Sequence, residues 1–180
     1  VQQLLEEMTL EQKVGQLFLV RPDSLDLSQT QDQINDAKAD GVTELTDAMR
    51  QTLAEYPVGG VVIFGKNLES PQQITQFLDD LQQASDTPLF TAIDEEGGLV
   101  ARLANNAAFD LPQYESAAAV GTSGNPEDAR AMGRTIGGYL KEYGFNLDFA
   151  PVADVNTNPD NPVIGTRAFS SEPQTAADLV

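Results

Sequence analysis

Three short and largely apolar runs punctuate the chain, and none of them follows a helical period. They are residues 58–64 (VGGVVIF), 89–93 (LFTAI) and 145–151 (FNLDFAP). A run of this kind is typical of a strand covered on both faces, as in a parallel sheet. Residues 17–20 are also apolar, and there the sequence leaves open whether the first helix continues or a strand begins. The pattern therefore predicts three buried strands and leaves a fourth undecided.

Helical patterns lie between these runs. Each begins with a capping residue or a first-turn proline, or places apolar residues three and four positions apart. The predicted helices start near Thr9, Leu45, Ser70, Asn125 and Glu172. The helix from Asn125-Pro126 is predicted to reach Tyr143, with Gly133 among its inward positions and Gly144 as its stop. Polar residues at 21–41 and 105–124 predict long solvated loops.

Strands that alternate with helices predict an α/β fold with parallel strands and right-handed crossovers. A closed α/β barrel needs eight strands and typically about 250 residues, whereas this chain has 180. Either a small open sheet or half of a barrel fits that length. Because the last predicted helix has completed only about two turns at Val180, we expect the first half of a (β/α)8 TIM-type barrel. Residues 1–180 would then form one domain that is incomplete at its C-terminus.

The stretch 88–103 (PLFTAIDEEGGLVARL) combines a predicted strand with candidate chemistry. Asp94, Glu95 and Glu96 follow the strand directly, and the flexible pair Gly97-Gly98 comes next. The carboxyl ends of parallel strands are where α/β folds bind their ligands. On spacing alone, ligand-binding carboxylates and solvated loop charges explain these acids equally well.

Amino-acid composition reduces the number of function classes that fit the chain. The formal charge of −18 argues against nucleic acid or an anionic membrane surface as a partner. The absence of cysteine excludes disulfides and thiolate metal sites, and the absence of histidine excludes a Ser-His triad, imidazole zinc ligands and histidine acid–base chemistry. No apolar run is long enough for a membrane span, and nothing in the sequence calls for a cofactor.

Acidity and the first residue bear on location. Val1 is not a start residue, so we expect a chain trimmed by processing or by design. Together with the strong acidity, this favours a secreted or cell-envelope bacterial protein, with a cytoplasmic location as the alternative.

Several motifs, in order, carry a family resemblance. LLEEMTLEQKVGQLF, VGGVVIFGKN, IDEEGGLVARL and LDFAPVADVNTNPDNPVIGTRAFSSEP resemble the amino-terminal barrel domain of glycoside hydrolase family three. The NPDNPVIGTRAFS loop is similar to that of the bacterial β-N-acetylhexosaminidase (β-N-acetylglucosaminidase) branch. The resemblance implies a retaining hydrolase of O-glycosyl bonds that releases terminal β-linked N-acetylglucosamine, with a carbohydrate as substrate.

The resemblance also implies three substrate-binding residues. Asp94 matches the family aspartate that accepts hydrogen bonds from sugar hydroxyls, which an ionised carboxylate does well. Arg102 matches the arginine that closes the acid–glycine–glycine motif, and Arg167 matches the arginine of the IGTRAFS loop. Either guanidinium offers planar, forked donors to sugar oxygens. Without the resemblance, a salt bridge that stabilises a long loop is the better explanation of each arginine.

Other polar residues have plainer explanations. Glu96 and Asp154 are expected to hold loops through backbone N–H groups, and Lys66 and Asn67 to be ordinary loop residues near the rim. A calcium loop beginning at Asp154 is rejected, because Pro159 occupies the position that requires glycine.

In the family, the nucleophile is an aspartate. In the acetylhexosaminidase branch, a histidine paired with an aspartate is the proposed acid–base, and a Lys-His pair binds substrate. The resemblance places all of them beyond Val180, so no catalytic residue is expected in this chain, and residues 1–180 alone should be inactive. They should either self-associate or require a C-terminal half to complete the barrel. The alternatives are a non-catalytic sugar- or partner-binding module of the same ancestry, a β-glucosidase-type member, and a metal-dependent enzyme that uses Asp94, Glu96, Asp148 and Asp154.

Overall fold

The computed structural model describes residues 2–180, which divide into two compact units. The first unit contains the chain up to Ile93 together with Tyr143–Leu147, and the second contains Asp94–Glu142 and Asp148–Val180. The described α-helices are α1 (Gln2–Glu7), α2 (Leu10–Gly15), α3 (Gln31–Asn35), α4 (Asp47–Glu55), α5 (Pro71–Ala84), α6 (Ala117–Gly121), α7 (Pro126–Glu142) and α8 (Pro173–Leu179). The strands are β1 (Leu19–Val20), β2 (Gly60–Ile63), β3 (Phe90–Ile93), β4 (Glu95–Gly97), β5 (Val100–Ala101) and β6 (Leu147–Asp148). Short 3₁₀ helices cover Pro22–Leu25, Gly65–Asn67 and Gly165–Arg167.

The main sheet has the order β1-β2-β3-β6, with β1 parallel to β2 and β2 parallel to β3. Ile63 lies opposite Ile93 in the register, and both side chains are fully buried. The prediction of an α/β fold with buried parallel strands is therefore confirmed. The undecided residues 17–20 provide β1 after α2 ends at Gly15.

The third predicted strand is much shorter than its apolar run, because a side chain replaces part of the backbone ladder. Asn146 Oδ1 accepts the Thr91 N–H at 2.9 Å, and Asn146 Nδ2 donates to the Leu89 carbonyl at 2.9 Å. Only Leu147–Asp148 then continue as β6. Apolar content predicts that the segment is buried, but the side-chain bonds decide where the strand begins.

The helices follow the predicted starts closely. Thr9 caps α2 with a complete capping box, Ser70 caps α5, and α4 ends at Glu55 just before Tyr56. Their apolar stripes supply the core of the first unit, in which Met49, Leu53, Ile74, Phe77, Leu78 and Leu81 are at most 2% exposed.

The longest helix, α7, has one inward position assigned wrongly. Gly133 is exposed, whereas Tyr139, which the apolar pattern did not include, is buried. The Tyr139 hydroxyl has a buried partner, described below, and this allows the ring to be covered. Gly144 follows α7 with a φ of +93°, a conformation that glycine adopts without strain.

The prediction of a solvated loop at 21–41 is wrong. This segment contains the 3₁₀ helix Pro22–Leu25 and the helix α3. Its Asp23 is fully buried and receives Lys66 Nζ at 3.1 Å and Asn67 Nδ2 at 3.0 Å. Lys66 Nζ also donates to the Ile34 carbonyl at 3.0 Å, so one ammonium ties the segment to the end of β2. The side chains of Lys66 and Asn67 are therefore buried and hold this segment in place, and they are not ordinary polar loop residues.

The predicted loop 105–124 is also wrong in one part. It contains α6, whose N-cap Ser116 accepts the Ala119 N–H at 3.0 Å. A helix of five residues shows no apolar period, so only its cap distinguishes it in the sequence. None of the helices described between residues 2 and 180 is both long and apolar enough to cross a bilayer.

Candidate functional site

The three acids lie on a small antiparallel hairpin in the second unit. β4 pairs with β5, and Gly98 and Leu99 form the turn between them. Gly97, the last residue of β4, and Gly98 have φ values of +83° and +66°. The hairpin brings Arg102 back beside Asp94, with Nη2 at 3.0 Å from Oδ2. The register of the hairpin shifts between Glu95 and Gly97, so each of the three acids has its own surroundings.

Glu96 is bound by the arginine of the IGTRAFS loop. Arg167 Nε donates to Oε2 at 2.8 Å and Nη2 donates to Oε1 at 2.6 Å, which is a two-pronged ion pair. Arg167 Nη1 also donates to the Val163 carbonyl at 3.1 Å. The hydrogen bonds that Arg167 donates to Glu96 raise the pKa of Arg167, and the charges of Asp154 and Asp94 add to the increase. Glu96 thus holds the loop through a guanidinium, where backbone N–H groups were expected.

Glu95 is the functional residue that the sequence reasoning missed. Its carboxylate is fully buried and accepts the backbone N–H groups of Leu103 and Ala104, both at 2.9 Å. The Tyr139 hydroxyl donates to the same carboxylate at 2.9 Å. No regular alternation along the strand could have separated the middle acid from its two neighbours, because the register shifts between Glu95 and Gly97.

Asp148, at the end of β6, completes this cluster. Its Oδ1 accepts the backbone N–H of Glu95 at 2.9 Å. Burial raises the pKa of Asp148 to about 6, and the charges of Glu95, Asp94 and Glu96 act in the same direction. Burial and the neighbouring Glu95 also raise the pKa of the Tyr139 hydroxyl, which therefore stays protonated and can donate.

The structure places the three predicted sugar-binding residues in two ion pairs, Asp94–Arg102 and Glu96–Arg167. Salt bridges therefore account for both arginines in this structure, as the residues alone suggested. All three side chains nevertheless remain partly accessible, with exposed fractions of 26% for Asp94, 33% for Arg102 and 22% for Arg167. An accessible carboxylate with a guanidinium at its side can exchange part of its pairing for the hydroxyls of a polyol. The roles in sugar binding stay predictions.

A cavity of about 600 Å³ lies in the same unit, between the acidic cluster and helices α7 and α8. Glu95, Glu96 and Asp148 contribute its polar wall, and Met132 and Ile136 contribute to its apolar wall. Asp94, Arg102 and Arg167 do not line it. Its volume therefore does not measure the space beside the predicted sugar-binding residues.

The metal-dependent alternative finds no support in this geometry. Asp94 and Glu96 are each held by a guanidinium, and Asp148 is held by a backbone N–H. Across residues 2–180, no group of three or more acidic side chains is arranged to hold a metal ion. A divalent ion would have to displace an arginine from each of two carboxylates.

Sequence comparisons agree with the motifs. Residues 9–180 match the profile of the "Glycosyl hydrolase family 3 N terminal domain". β-Hexosaminidase A of Pseudoalteromonas piscicida is 36% identical over 143 residues, which make up 77% of this chain and 24% of that protein. A β-hexosaminidase of Nitrosomonas eutropha is 35% identical over 141 residues, which make up 76% of this chain and 40% of that protein. The chain thus spans well under half the length of these curated relatives.

Solved structures show the same relationship. A family 3 β-N-acetylglucosaminidase from Paenibacillus sp. strain FPU-7 superposes with a TM-score of 0.78 at 34% identity, covering 96% of this chain and 29% of that one. A β-N-acetylhexosaminidase from Beutenbergia cavernae gives 0.74 at 26% identity, covering 96% and 48%. The expected barrel relationship is confirmed, although the sheet of residues 2–180 is open and the barrel is not closed within them. Since the family profile matches nearly the whole chain, the chain belongs to the N-terminal domain of glycosyl hydrolase family 3.

Proposed function

We propose that the protein carrying this chain is a retaining glycoside hydrolase that releases terminal β-linked N-acetylglucosamine. In this proposal residues 1–180 supply part of the sugar pocket. One observation carries it: the β4–β5 hairpin presents a partly exposed Asp94 beside Arg102, in a chain whose curated relatives named above are β-hexosaminidases.

The chemistry of the pair suits recognition of a sugar ring. A carboxylate can accept from two hydroxyls of one ring and so fix its orientation, and each such charged hydrogen bond contributes about 1.5–3 kcal/mol. Arg102 holds Asp94 in place through the 3.0 Å contact between Nη2 and Oδ2. Orientation of the ring matters for turnover, since small misplacements of the reacting carbon reduce the rate strongly.

No residue of this chain is proposed as nucleophile or acid–base. Asp94, Glu95, Glu96 and Asp148 are engaged in bonds that position the hairpin, and the chain contains no histidine. Residues 1–180 alone are expected to bind at most weakly and to leave aryl glycosides uncleaved.

The first test measures Asp94→Ala in the protein that carries this chain. With p-nitrophenyl N-acetyl-β-glucosaminide, kcat/KM should fall about ten- to hundred-fold, the equivalent of one lost charged hydrogen bond. Asp86→Ala, a change at an exposed acid of the first unit, serves as the control and should leave kcat/KM unaltered. Wild-type kinetics of the folded Asp94→Ala variant would remove Asp94 from the site.

The same assay separates the alternatives. A β-glucosidase-type enzyme would prefer the p-nitrophenyl glucoside over the N-acetylglucosaminide. A non-catalytic module would bind N-acetylglucosamine in calorimetry without turning over either substrate.

A further inference from the structure

We infer that Glu95 is a positioning residue that holds Arg102 against Asp94 by binding the backbone immediately after Arg102. The inference deepens the proposed function, because it concerns the pair that would receive the sugar. The bonds on which it depends are independent of that function.

The hairpin ladder alone does not fix Arg102. β5 contains only Val100 and Ala101, and the ladder pairs Glu95 with Ala101 and Gly97 with Val100. Arg102 is therefore the first residue beyond the ladder. Holding a long side chain at one carboxylate costs conformational entropy, so a fixed backbone on both sides of Arg102 favours the pair.

Glu95 supplies the missing attachment on the far side of Arg102. Its Oε2 accepts the N–H of Leu103 and its Oε1 accepts the N–H of Ala104. Arg102 is thus clamped between the ladder at Ala101 and the carboxylate at Leu103. The carboxylate and its neighbours Leu103 and Ala104 are all at most 5% exposed, so water does not compete for these bonds.

The clamp is itself held at two further points. The Tyr139 hydroxyl of α7 donates to Oε1, and Asp148 of β6 accepts the backbone N–H of Glu95. Both the side chain and the backbone of Glu95 are therefore fixed by neighbouring elements of the same unit. A buried carboxylate is costly unless its oxygens are paired, and here donors reach both oxygens.

The bonding pattern requires a carboxylate and not an amide. The two backbone donors point to different oxygens of Glu95. A glutamine of the same size has one oxygen and one NH2 group, so in either orientation one backbone N–H would face another donor. Glu95→Gln therefore breaks the clamp while it preserves the side-chain volume.

The experiment combines amide exchange with kinetics in the protein that carries this chain. In the wild type, the amides of Leu103 and Ala104 should exchange with deuterium at least tenfold more slowly than that of the exposed Ala107. In Glu95→Gln both amides should exchange at least tenfold faster than in wild type, and kcat/KM per folded molecule should fall about tenfold, as for one weakened polar contact. Tyr139→Phe is the graded comparison, because it removes one donor to the same carboxylate but leaves both backbone bonds. It should lower the melting temperature, and it should speed exchange at 103–104 and lower kcat/KM by less than Glu95→Gln does.

The outcomes separate positioning from simple stabilisation. Faster exchange at 103–104 with a lower kcat/KM supports the inference. A lower melting temperature with unchanged kcat/KM in the folded Glu95→Gln protein overturns it. Fast exchange of both amides in wild type also overturns it, and this exchange can be measured even if the variant does not fold. If the wild type hydrolyses no aryl glycoside, the proposed function fails, while the exchange rates still decide whether Glu95 holds this backbone.

Discussion

Arg167→Lys tests whether the arginine of the IGTRAFS loop does more than anchor that loop. The substitution keeps the charge and removes the fork. Arg167 makes two contacts to Glu96, at 2.8 and 2.6 Å, and one to the Val163 carbonyl at 3.1 Å. An ammonium can take the place of one of the two carboxylate contacts and cannot also reach the carbonyl in the same geometry.

The expected loss of loop anchoring follows from those contacts. One charged hydrogen bond and one ordinary hydrogen bond are removed near a Glu96 side chain that is only 8% exposed. Together they contribute about 2–4 kcal/mol, and at about 2–4 °C per kcal/mol a chain of this size should melt roughly 4–16 °C lower. If the guanidinium also binds sugar oxygens, kcat/KM at a temperature where the variant is folded should fall at least about tenfold.

Two comparisons make the outcome decisive. Arg134→Lys alters an exposed guanidinium that lies 3.9 Å from Glu127, and it should change neither quantity. Glu96→Gln loosens the loop but keeps the guanidinium, so it should lower the melting temperature with a smaller kinetic effect than Arg167→Lys. If Arg167→Lys turns over substrate like wild type and Arg167→Ala only melts earlier, the residue is a loop anchor and has no part in sugar binding.

Two further predictions concern buried charges. Lys66→Met should lower the free energy of unfolding, measured with urea, by about 3–5 kcal/mol, because it leaves the Asp23 carboxylate buried without its ammonium. The control Lys141→Met, at an exposed position, should lower it by less than about 0.5 kcal/mol. An equally small loss for Lys66→Met would contradict the argument. For Asp148 the pKa is raised from 3.8 to about 6 in the folded protein, so its stabilising contribution is fully present below pH 3.8 and is lost as the pH rises through 6. Asp148→Asn keeps an acceptor for the Glu95 N–H but removes the titrating carboxyl. The free energy of unfolding of the variant minus that of wild type should therefore be larger at pH 7 than at pH 4, by about 1–2 kcal/mol after allowance for solvent screening. Melting curves of the two proteins that differ by the same amount at both pH values would refute the assignment.

The sequence predicted the helices and strands that arise from local patterns of apolar and capping residues. Apolar runs gave β2 and β3, and apolar stripes with recognisable caps gave α4, α5 and α7, because burial and capping depend on local order along the chain. The candidate region at the end of β3 followed from the same reasoning. Asp94, Arg102 and Arg167 were identified through the family resemblance, and the structure places each of them in an ion pair.

The errors at two buried acids share one physical origin. Asp23 was placed in a solvated stretch, and Glu95 was left open between a ligand-binding and a solvated acid, yet both are fully buried. Composition cannot distinguish a paired carboxylate from a solvated one, because the partners come from distant positions. Lys66 and Asn67 lie more than forty residues beyond Asp23, and Tyr139 lies 44 residues beyond Glu95.

The turn that joins β4 to β5 gives a last prediction, which needs neither substrate nor catalytic partner. Gly98 has a φ of +66°, and a Cβ there would lie 2.9 Å from the Glu115 carbonyl oxygen and 2.9 Å from Ser116 Cα. Gly124 has nearly the same φ, +62°, but its Cβ would meet nothing within 4 Å. Gly98→Ala and Gly124→Ala therefore pay the same penalty for left-handed backbone, about 1–2 kcal/mol.

The two variants differ only in crowding. At Gly98 the obstructing atoms are backbone at the N-cap of α6, which cannot rotate away, so the alanine must push that cap or open the hairpin. Such overpacking costs about 1–3 kcal/mol more, and the difference should appear as a melting temperature roughly 2–12 °C lower for Gly98→Ala than for Gly124→Ala. Since the turn returns Arg102 to Asp94, Gly98→Ala should also speed amide exchange at Leu103 and Ala104, whereas Gly124→Ala should not. Equal melting temperatures for the two variants would show that the hairpin is not confined by α6, and the close approach at Gly98 would then have no energetic consequence.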